Sequence, residues 1–428
     1  MMEDKRGSMA KKITMEKLQA GKLARRALGL TTRLIDTYGP RLSGSQACRD
    51  VAQDLAGELA TYSDVVEREP FKLHPRAFLD WIRILVVIYP VSLSMLWIGL
   101  PLVSLVLVAA GILILVFEFF LYHEVVDRFF PAADGVNVHG ILEPKAEVLQ
   151  TVVFSGHHDS ARVFNFLAKK PELYMLRIGS GLGAFLLLFL VALIQSIKTA
   201  VGGHLFQVGL SSAGWMVLDV ILTLLLPCVA FLWDFASKEG TPGAGDNLIA
   251  CAMGVEIAHY FHQNRSEGNP LQHTRLVVAS FDGEECGLRG ARAFFTKHKK
   301  EFEAVPTWNF NVDCPYYAKD LFFLTSDING SVRLSQDMAT TCVAIARSMG
   351  FEATSQPIAF LTGGTDAAEA AKTGVNAVTL MAMPWDNKER SSVYHTLDDI
   401  PSAIEPRAVE ETLSIAIKFI EQLDKGLL

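Results

Sequence analysis

No disulfide framework is written into this sequence. Its six cysteines, at positions 48, 228, 251, 286, 314 and 342, follow no pairing pattern, which suits a reducing compartment. A basic stripe with interleaved aromatics is also missing, and the formal net charge is −7 over 428 residues, so nucleic acid is not expected as a partner. There is no low-complexity segment, and no internal repeat beyond two apolar hairpins. No apolar stretch precedes residue 80. The first residues are instead polar and basic, with Lys5, Arg6, Lys11 and Lys12. That start does not read as a signal peptide, and residues 1–13 are expected to form a disordered arm.

Charge is scarce in three long stretches. Residues 178–194 and 217–233 are almost uncharged, and 84–120 is apolar throughout, broken by Pro90 and Pro101. Half of all residues are hydrophobic and the mean hydropathy is +0.27. Uncharged runs of about 18 residues are long enough to cross a bilayer as helices. Four transmembrane helices are expected, near 82–99, 102–121, 177–196 and 213–234. They form two inserted hairpins, 81–121 and 175–234. The first is short for two spans of about 20 residues each, so a re-entrant hairpin is its alternative. Transport is not indicated, since the runs hold almost no buried ionisable groups; Asp219 and Glu118 are expected at the interface. Lys and Arg cluster at one side of the helix ends: Arg76, Arg83, Arg128, Lys169, Lys170, Arg177 and Lys238, against Lys198 alone on the other. The positive-inside rule then puts the catalytic domain on the cytoplasmic side of an integral, multi-pass membrane protein, with membrane lipid as a partner.

The remaining segments, 14–80, 122–174 and 235–428, are expected to form one discontinuous domain. Helix and strand patterns alternate along it. Ser45 can cap a helix with Ala47, Val51, Leu55 and Leu59 on one face. Strand-like runs occur at 65–71, 137–142, 150–156, 276–279, 308–312 and 377–381, and helical patterns at 248–261, 335–349 and 405–423. Such alternation predicts an α/β fold with a largely parallel central sheet flanked by helices.

Imidazoles and carboxylates recur where these strands and loops end. Glu284-Glu285 follows the run Leu276-Val277-Val278-Ala279 and lies between glycines. Open α/β sheets build sites at that edge. One acid there can hold a metal while its neighbour moves protons. His157-His158-Asp159-Ser160 ends another strand, and a His-x-Asp pair suits a ligand with a carboxylate that orients it. Gly243-Ala244-Gly245-Asp246-Asn247 opens a helix, Asp313 ends the run from Trp308, and His395 follows a loop. Each alone is an ordinary turn acid or hydrogen-bonded histidine. Together, nitrogen and oxygen donors without thiolates point to zinc or a similar divalent ion. Two His and three carboxylates can hold two ions if one carboxylate bridges. His158 is an alternate ligand of lesser weight, Asp366 reads equally as a helix N-terminus, Asp282, Asp398 and Asp399 are read as turn residues or as supports behind the ligands, and Cys286 and Cys314 as buried thiols.

Five ordered segments resemble peptidase family M28, the di-zinc aminopeptidases, whose relatives include glutamate carboxypeptidase and glutaminyl cyclase. They are Gly156-His157-His158-Asp159-Ser160, Gly245-Asp246-Asn247, Gly283-Glu284-Glu285-Cys286-Gly287-Leu288-Arg289-Gly290, Asn311-Val312-Asp313 and Tyr394-His395-Thr396-Leu397-Asp398-Asp399. Fainter echoes are Pro40-Arg41-Leu42-Ser43-Gly44-Ser45 and Asn137-Val138-His139-Gly140. The resemblance implies a mixed sheet of zinc-exopeptidase type and two zinc ions. Asp246 would bridge them, Glu285 and His395 would complete one site, and His157 and Asp313 the other. Glu284 would be the general base, Tyr394 would steady the oxyanion, and Asp159 would stand behind His157. A zinc-dependent aminopeptidase acting on peptides is implied, with a glutaminyl cyclase, another amide hydrolase, or a silent membrane scaffold as alternatives. The chain departs from the family's soluble members in one respect. The 88 residues between His157 and Asp246 contain the second hairpin, which predicts a site mouth close to the bilayer.

Overall fold

Runs rich in Val, Ile, Leu and Phe become strands in the computed structural model, which describes residues 2–203, 206, 208–209, 213–384, 389 and 392–428, with side chains from residue 19 onward except 213. The strands are β1 (Val65–Leu73), β2 (Ala133–Leu142), β3 (Gln150–His157), β4 (Arg162–Phe164), β5 (Ala236–Gly240), β6 (Thr274–Phe281), β7 (Thr307–Pro315), β8 (Leu321–Leu324), β9 (Ser326–Asp327), β10 (Val332–Arg333), β11 (Thr354–Gln356) and β12 (Asn376–Ala382). Eight of them form one sheet in the order β1-β2-β6-β3-β7-β12-β8-β11. β3 runs parallel to β6 and β7, β7 to β12, and β8 to β11. β1 with β2, β2 with β6, and β8 with β12 are antiparallel. The sheet is therefore mixed and largely parallel. β3 and β6 are buried along almost their whole length, as expected of strands covered on both faces.

Two units divide the chain. The first comprises Met1–Pro75, Ala132–Arg162 and Glu239–Leu428 and contains the sheet; the second comprises Arg76–Pro131 and Val163–Lys238. The second thus takes in more residues than the expected hairpins at 81–121 and 175–234. In the first unit the capping prediction is met: the Ser45 hydroxyl accepts from the Cys48 amide at 3.2 Å, ahead of helix Gln46–Ala60. Helix Met2–Tyr38 includes the stretch read as an arm at 1–13; its Met, Glu, Lys and Ala residues are good helix formers. Helix Ile249–Ser266 lies very close to the sheet. A Cβ on Gly156 would meet Ala250 Cβ at 2.5 Å, and one on Gly254 would meet Val278 Cγ1 at 2.6 Å. Only hydrogen atoms fit there, so glycine sets the gap between helix and sheet.

The second unit holds four helices long and apolar enough to cross a membrane: Ala77–Trp97, Pro101–Phe120, Pro171–Val201 and Gly214–Asp234. The 84–120 block thus supplies two helices, with Pro101 at the start of the second, where its missing N–H costs nothing. Polar groups inside the unit find partners. Ser92 donates to the Ser104 carbonyl at 2.8 Å and Tyr89 to the Leu222 carbonyl at 2.9 Å. Asp219 and Glu118 are buried within the protein. Gln195 Nε2 lies 3.4 Å from Asp219 Oδ1, and the Val126 amide donates to Glu118 at 2.9 Å. These bonds offset part of the desolvation that burial imposes on the two carboxyl groups.

Candidate metal centre

The parallel strands β3, β6 and β7 deliver their carboxyl ends to one edge of the sheet, where the sequence places the acids and imidazoles. β3 ends on His157. Two residues later Asp159 turns back, its Oδ1 3.3 Å from His157 Nδ1. Asp159 also accepts the Ser43 hydroxyl at 2.7 Å and the amides of Glu284 and Glu285 at 3.2 Å each. One carboxylate thus fixes both the ring of His157 and the turn after β6. The other imidazole nitrogen, Nε2, lies 3.3 Å from Asp246 Oδ1 and 3.7 Å from Glu284 Oε2. Asp246 Oδ2 lies 3.2 Å from His395 Nε2, which is 3.5 Å from Glu285 Oε2.

Asp246 is held from behind. Asp399 accepts from the Gly245 amide at 2.7 Å and the Asp246 amide at 3.3 Å, and Asn247 Nδ2 donates to the Val312 carbonyl at 2.7 Å. Gly245 is needed because a Cβ there would overlap the Tyr316 ring. The result is two sets of ligand-type atoms, His157 with Asp246 and Asp313, and His395 with Asp246 and Glu285. Within each set the atoms lie within 4.8 Å of one another. Asp246 belongs to both, one oxygen toward each histidine.

Electrostatics makes this cluster receptive to cations. Burial, then Asp313, Asp366 and Asp246, holds the Glu284 carboxyl well above its ordinary range; burial, Asp246 and Glu284 do the same to Glu285. Burial and Asp246 push Asp313 up to about 7. Burial would depress His157, but the carboxylates of Glu284, Asp159 and Asp246 overturn that and hold it well above its usual value. Among the described residues, no hydrogen bond of good geometry reaches His157 Nε2, Asp246 Oδ2 or Glu285 Oε1, all buried. Like charges and unsatisfied lone pairs facing one small volume are costly unless a cation fills it. The donors are oxygen and imidazole nitrogen, which fits zinc.

All five expected ligands, with Glu284 and Asp159, lie in this one cluster. The Tyr394 ring stacks on His395 with centroids 4.0 Å apart. His158 points elsewhere: its Nδ1 is 2.7 Å from Ser280 Oγ, in a buried group with Cys48 and Asp282. Adjacent residues at a strand end face opposite ways. Cys286 and Cys314 are buried free thiols. Three residues support the cluster, Asp366 and Arg41 beyond what the sequence implied, Asp399 as expected of a turn residue behind the ligands. Asp366 is 1% exposed, neither of its oxygens has a hydrogen-bond partner, and its charge acts on Glu284. Asp399 carries the backbone of Asp246. Arg41, fully buried, donates to the carbonyls of His158 at 2.9 Å, Pro242 at 2.8 Å and Gly243 at 2.8 Å. The Gly363-Gly364-Thr365-Asp366 turn was the available signal for the first; the others had none beyond their place in an echoed motif.

Solved structures with this fold include a zinc-dependent exopeptidase from Parabacteroides distasonis (TM-score 0.53, 13% identity, 93% of this chain and 97% of that one). A zinc aminopeptidase from Bacillus subtilis matches as well (TM-score 0.53, 13% identity, 94% and 95%). So does a glutaminyl cyclase from Porphyromonas gingivalis (TM-score 0.55, 12% identity, 94% and 98%). No curated protein matches the sequence. The fold is thus that of the zinc exopeptidases and glutaminyl cyclases. Residues 233–420, which carry Asp246, Glu285, Asp313 and His395, match the model of peptidase family M28.

Proposed function

We propose that this protein is a membrane-anchored metallo-exopeptidase of two-zinc type, an aminopeptidase that removes N-terminal residues from peptides. The observation that carries the reading is the placement of Asp246, whose two oxygens face two different histidines, each completed by a further carboxylate. Held by these residues, a divalent ion pair supplies Lewis acidity toward the scissile carbonyl and acidifies water. The chain's own part is proton transfer and orientation. Glu284 is buried with its pKa held up by burial and its acidic neighbours, as suits a base that takes a proton from the attacking water and returns it to the leaving amine. Asp159 and Asp399 keep His157 and Asp246 in place. Asp366 offers an unpartnered carboxylate beside Glu284, suited to the α-ammonium of a peptide. Tyr394, beside His395, is the group assigned to the oxyanion. The four apolar helices support membrane anchoring, and the Lys/Arg bias supports a cytoplasmic catalytic side.

The test is metal analysis combined with an aminoacyl-anilide panel on wild type and Glu284→Gln in detergent. The wild type should hold at least two ions per chain and release anilide. The variant should keep its ions and lose turnover by about a hundredfold or more. Unchanged turnover would refute the base assignment. The glutaminyl cyclases that share the fold favour a second reading, in which an N-terminal glutamine closes on its own side-chain amide. Ammonia release from Gln-peptides without anilide cleavage would select it.

A further inference from the structure

A second group of ligand-type side chains lies on β1 and β2, away from the centre described above. Glu69 of β1, His139 of β2 and His298, which follows helix Arg289–Lys297, bring one ligand atom each to within 4.8 Å of the others. β1 and β2 are antiparallel with Glu67 opposite His139. Glu69, two residues on, shares that face and reaches His139 diagonally. His298 Nε2 lies 2.8 Å from Glu69 Oε1, and His139 Nδ1 lies 4.0 Å from the same oxygen. The nine-residue helix between the Glu284-Glu285 turn and His298 spans about 13 Å, so this group is separate from the catalytic cluster.

Two features distinguish the group from an ordinary ion pair. His139 is 2% exposed, yet its Nδ1 has no hydrogen-bond partner. A buried imidazole nitrogen aimed at a carboxylate 4 Å away leaves a lone pair or a proton unused. His298 is oriented from behind: its Nδ1 is 3.0 Å from Glu301 Oε2. This is the carboxylate–histidine arrangement that presents the other nitrogen to a metal. At present, positive charge stands in the gap. Lys297 Nζ is 2.6 Å from Glu69 Oε1, and His298 offers an N–H to the same oxygen. An ammonium and a proton together carry the charge of one divalent ion.

We propose that Glu69, His139 and His298 form a binding site for a zinc-class divalent ion, which enters by displacing the Lys297 ammonium and the Nε2 proton of His298. The exchange balances: one divalent cation in, one proton released to solvent, and one ammonium swung out on a side chain already largely exposed. Two imidazoles and one carboxylate with an open fourth position suit Zn²⁺, and not Ca²⁺ or Mg²⁺, which want oxygen donors. Bonds of about 2.0–2.1 Å place tetrahedral ligand atoms roughly 3.3 Å apart. The Glu69–His298 pair must open and the Glu69–His139 pair must close, each by less than about 1 Å, within reach of side-chain rotation. The ion would tie two strands to the helix that leads out of the Glu284-Glu285 turn.

The test uses the full chain in detergent, stripped of metal and titrated with Zn²⁺ alone. His298→Gln should bind one ion fewer per chain than wild type, whatever the catalytic cluster holds, so the outcome is independent of the proposed activity. Lys297→Met, which removes the competing ammonium, should bind that ion more tightly. Glu301→Gln should weaken it by about ten- to a hundredfold. Equal zinc counts in wild type and His298→Gln would overturn the proposal. Should His298→Gln fail to fold, Lys297→Met decides, because it changes only an exposed side chain: unaltered zinc affinity there would equally overturn it.

Discussion

Asp159 collects three donors from distant parts of the chain and stands behind His157. Asp159→Asn keeps its shape but turns one acceptor oxygen into an amine that must face N–H or O–H donors. The cost is an unmet hydrogen bond and a loosened His157. Zinc affinity, measured by chelator competition, should fall by about ten- to a hundredfold with helix content unchanged; unaltered affinity would show that the ring needs no such support. The contrast with the five candidate ligands is instructive. His157, Asp246, Glu285, Asp313 and His395 are legible in the sequence because each ends a strand or turn with a local glycine or apolar signature. Arg41 and Asp399 are not, because their work lies in hydrogen bonds to Gly243 and Gly245, 202 and 154 positions away. No window of sequence contains such a pair. Asp366 is intermediate, visible as a turn acid but not as one left unpartnered inside the cluster.

Helix Ile249–Ser266 starts just after Asp246, so its depth on the sheet sets where that carboxylate stands. Gly254 is a point of close approach, with Val278 filling the space a side chain would need. Gly254→Val should cost about 1–3 kcal/mol by overpacking, read as a lowered Tm, and should weaken metal binding because the helix start moves with it. A stable variant with intact metal affinity would mean that the loop positions Asp246 without the helix. Elements of this kind follow from pattern: apolar runs give the strands, Ser45 and Ser335 cap helices as hydroxyls near helix starts do, and uncharged runs give the four long apolar helices. Strand order does not follow. β6 inserts between β2 and β3, and β12 between β7 and β8, through pairings that local residues do not encode. The buried chain from Asn309 through Ser155 to Asn311 and Thr379 also escapes periodicity, since polar residues in a strand read as solvent-facing until their partners are known.

At the scale of the whole molecule the buried acids make stability depend on pH and on metal together. Burial, with like-charged neighbours for the first three, pushes Asp282, Asp313, Asp399 and Asp327 up to about 7 in the ion-free protein. Glu284 and Glu285 are also held well above their ordinary range. The same groups titrate near pH 4 in an unfolded chain. Between about pH 4 and 7 the folded protein therefore holds more protons than the unfolded one, and its stability falls as pH rises through that window. His157, also held up, acts in the same direction: its contribution is present at low pH and is lost as pH rises through its folded value. Asp246 is held below its usual range by His157 and His395, against the pull of burial, and loses its contribution only in strong acid. Divalent ions reverse the slope, because they bind the deprotonated ligands. Metal-stripped protein in detergent should thus show a Tm that declines from pH 5 to pH 8. Added Zn²⁺ should restore more at pH 8 than at pH 5; where free zinc is a hundredfold above its Kd the gain is about 2.7 kcal/mol per site. A stripped protein whose Tm climbs steadily over that range would mean that these carboxylates do not share one dry enclosure, and the two-ion reading would fall with it.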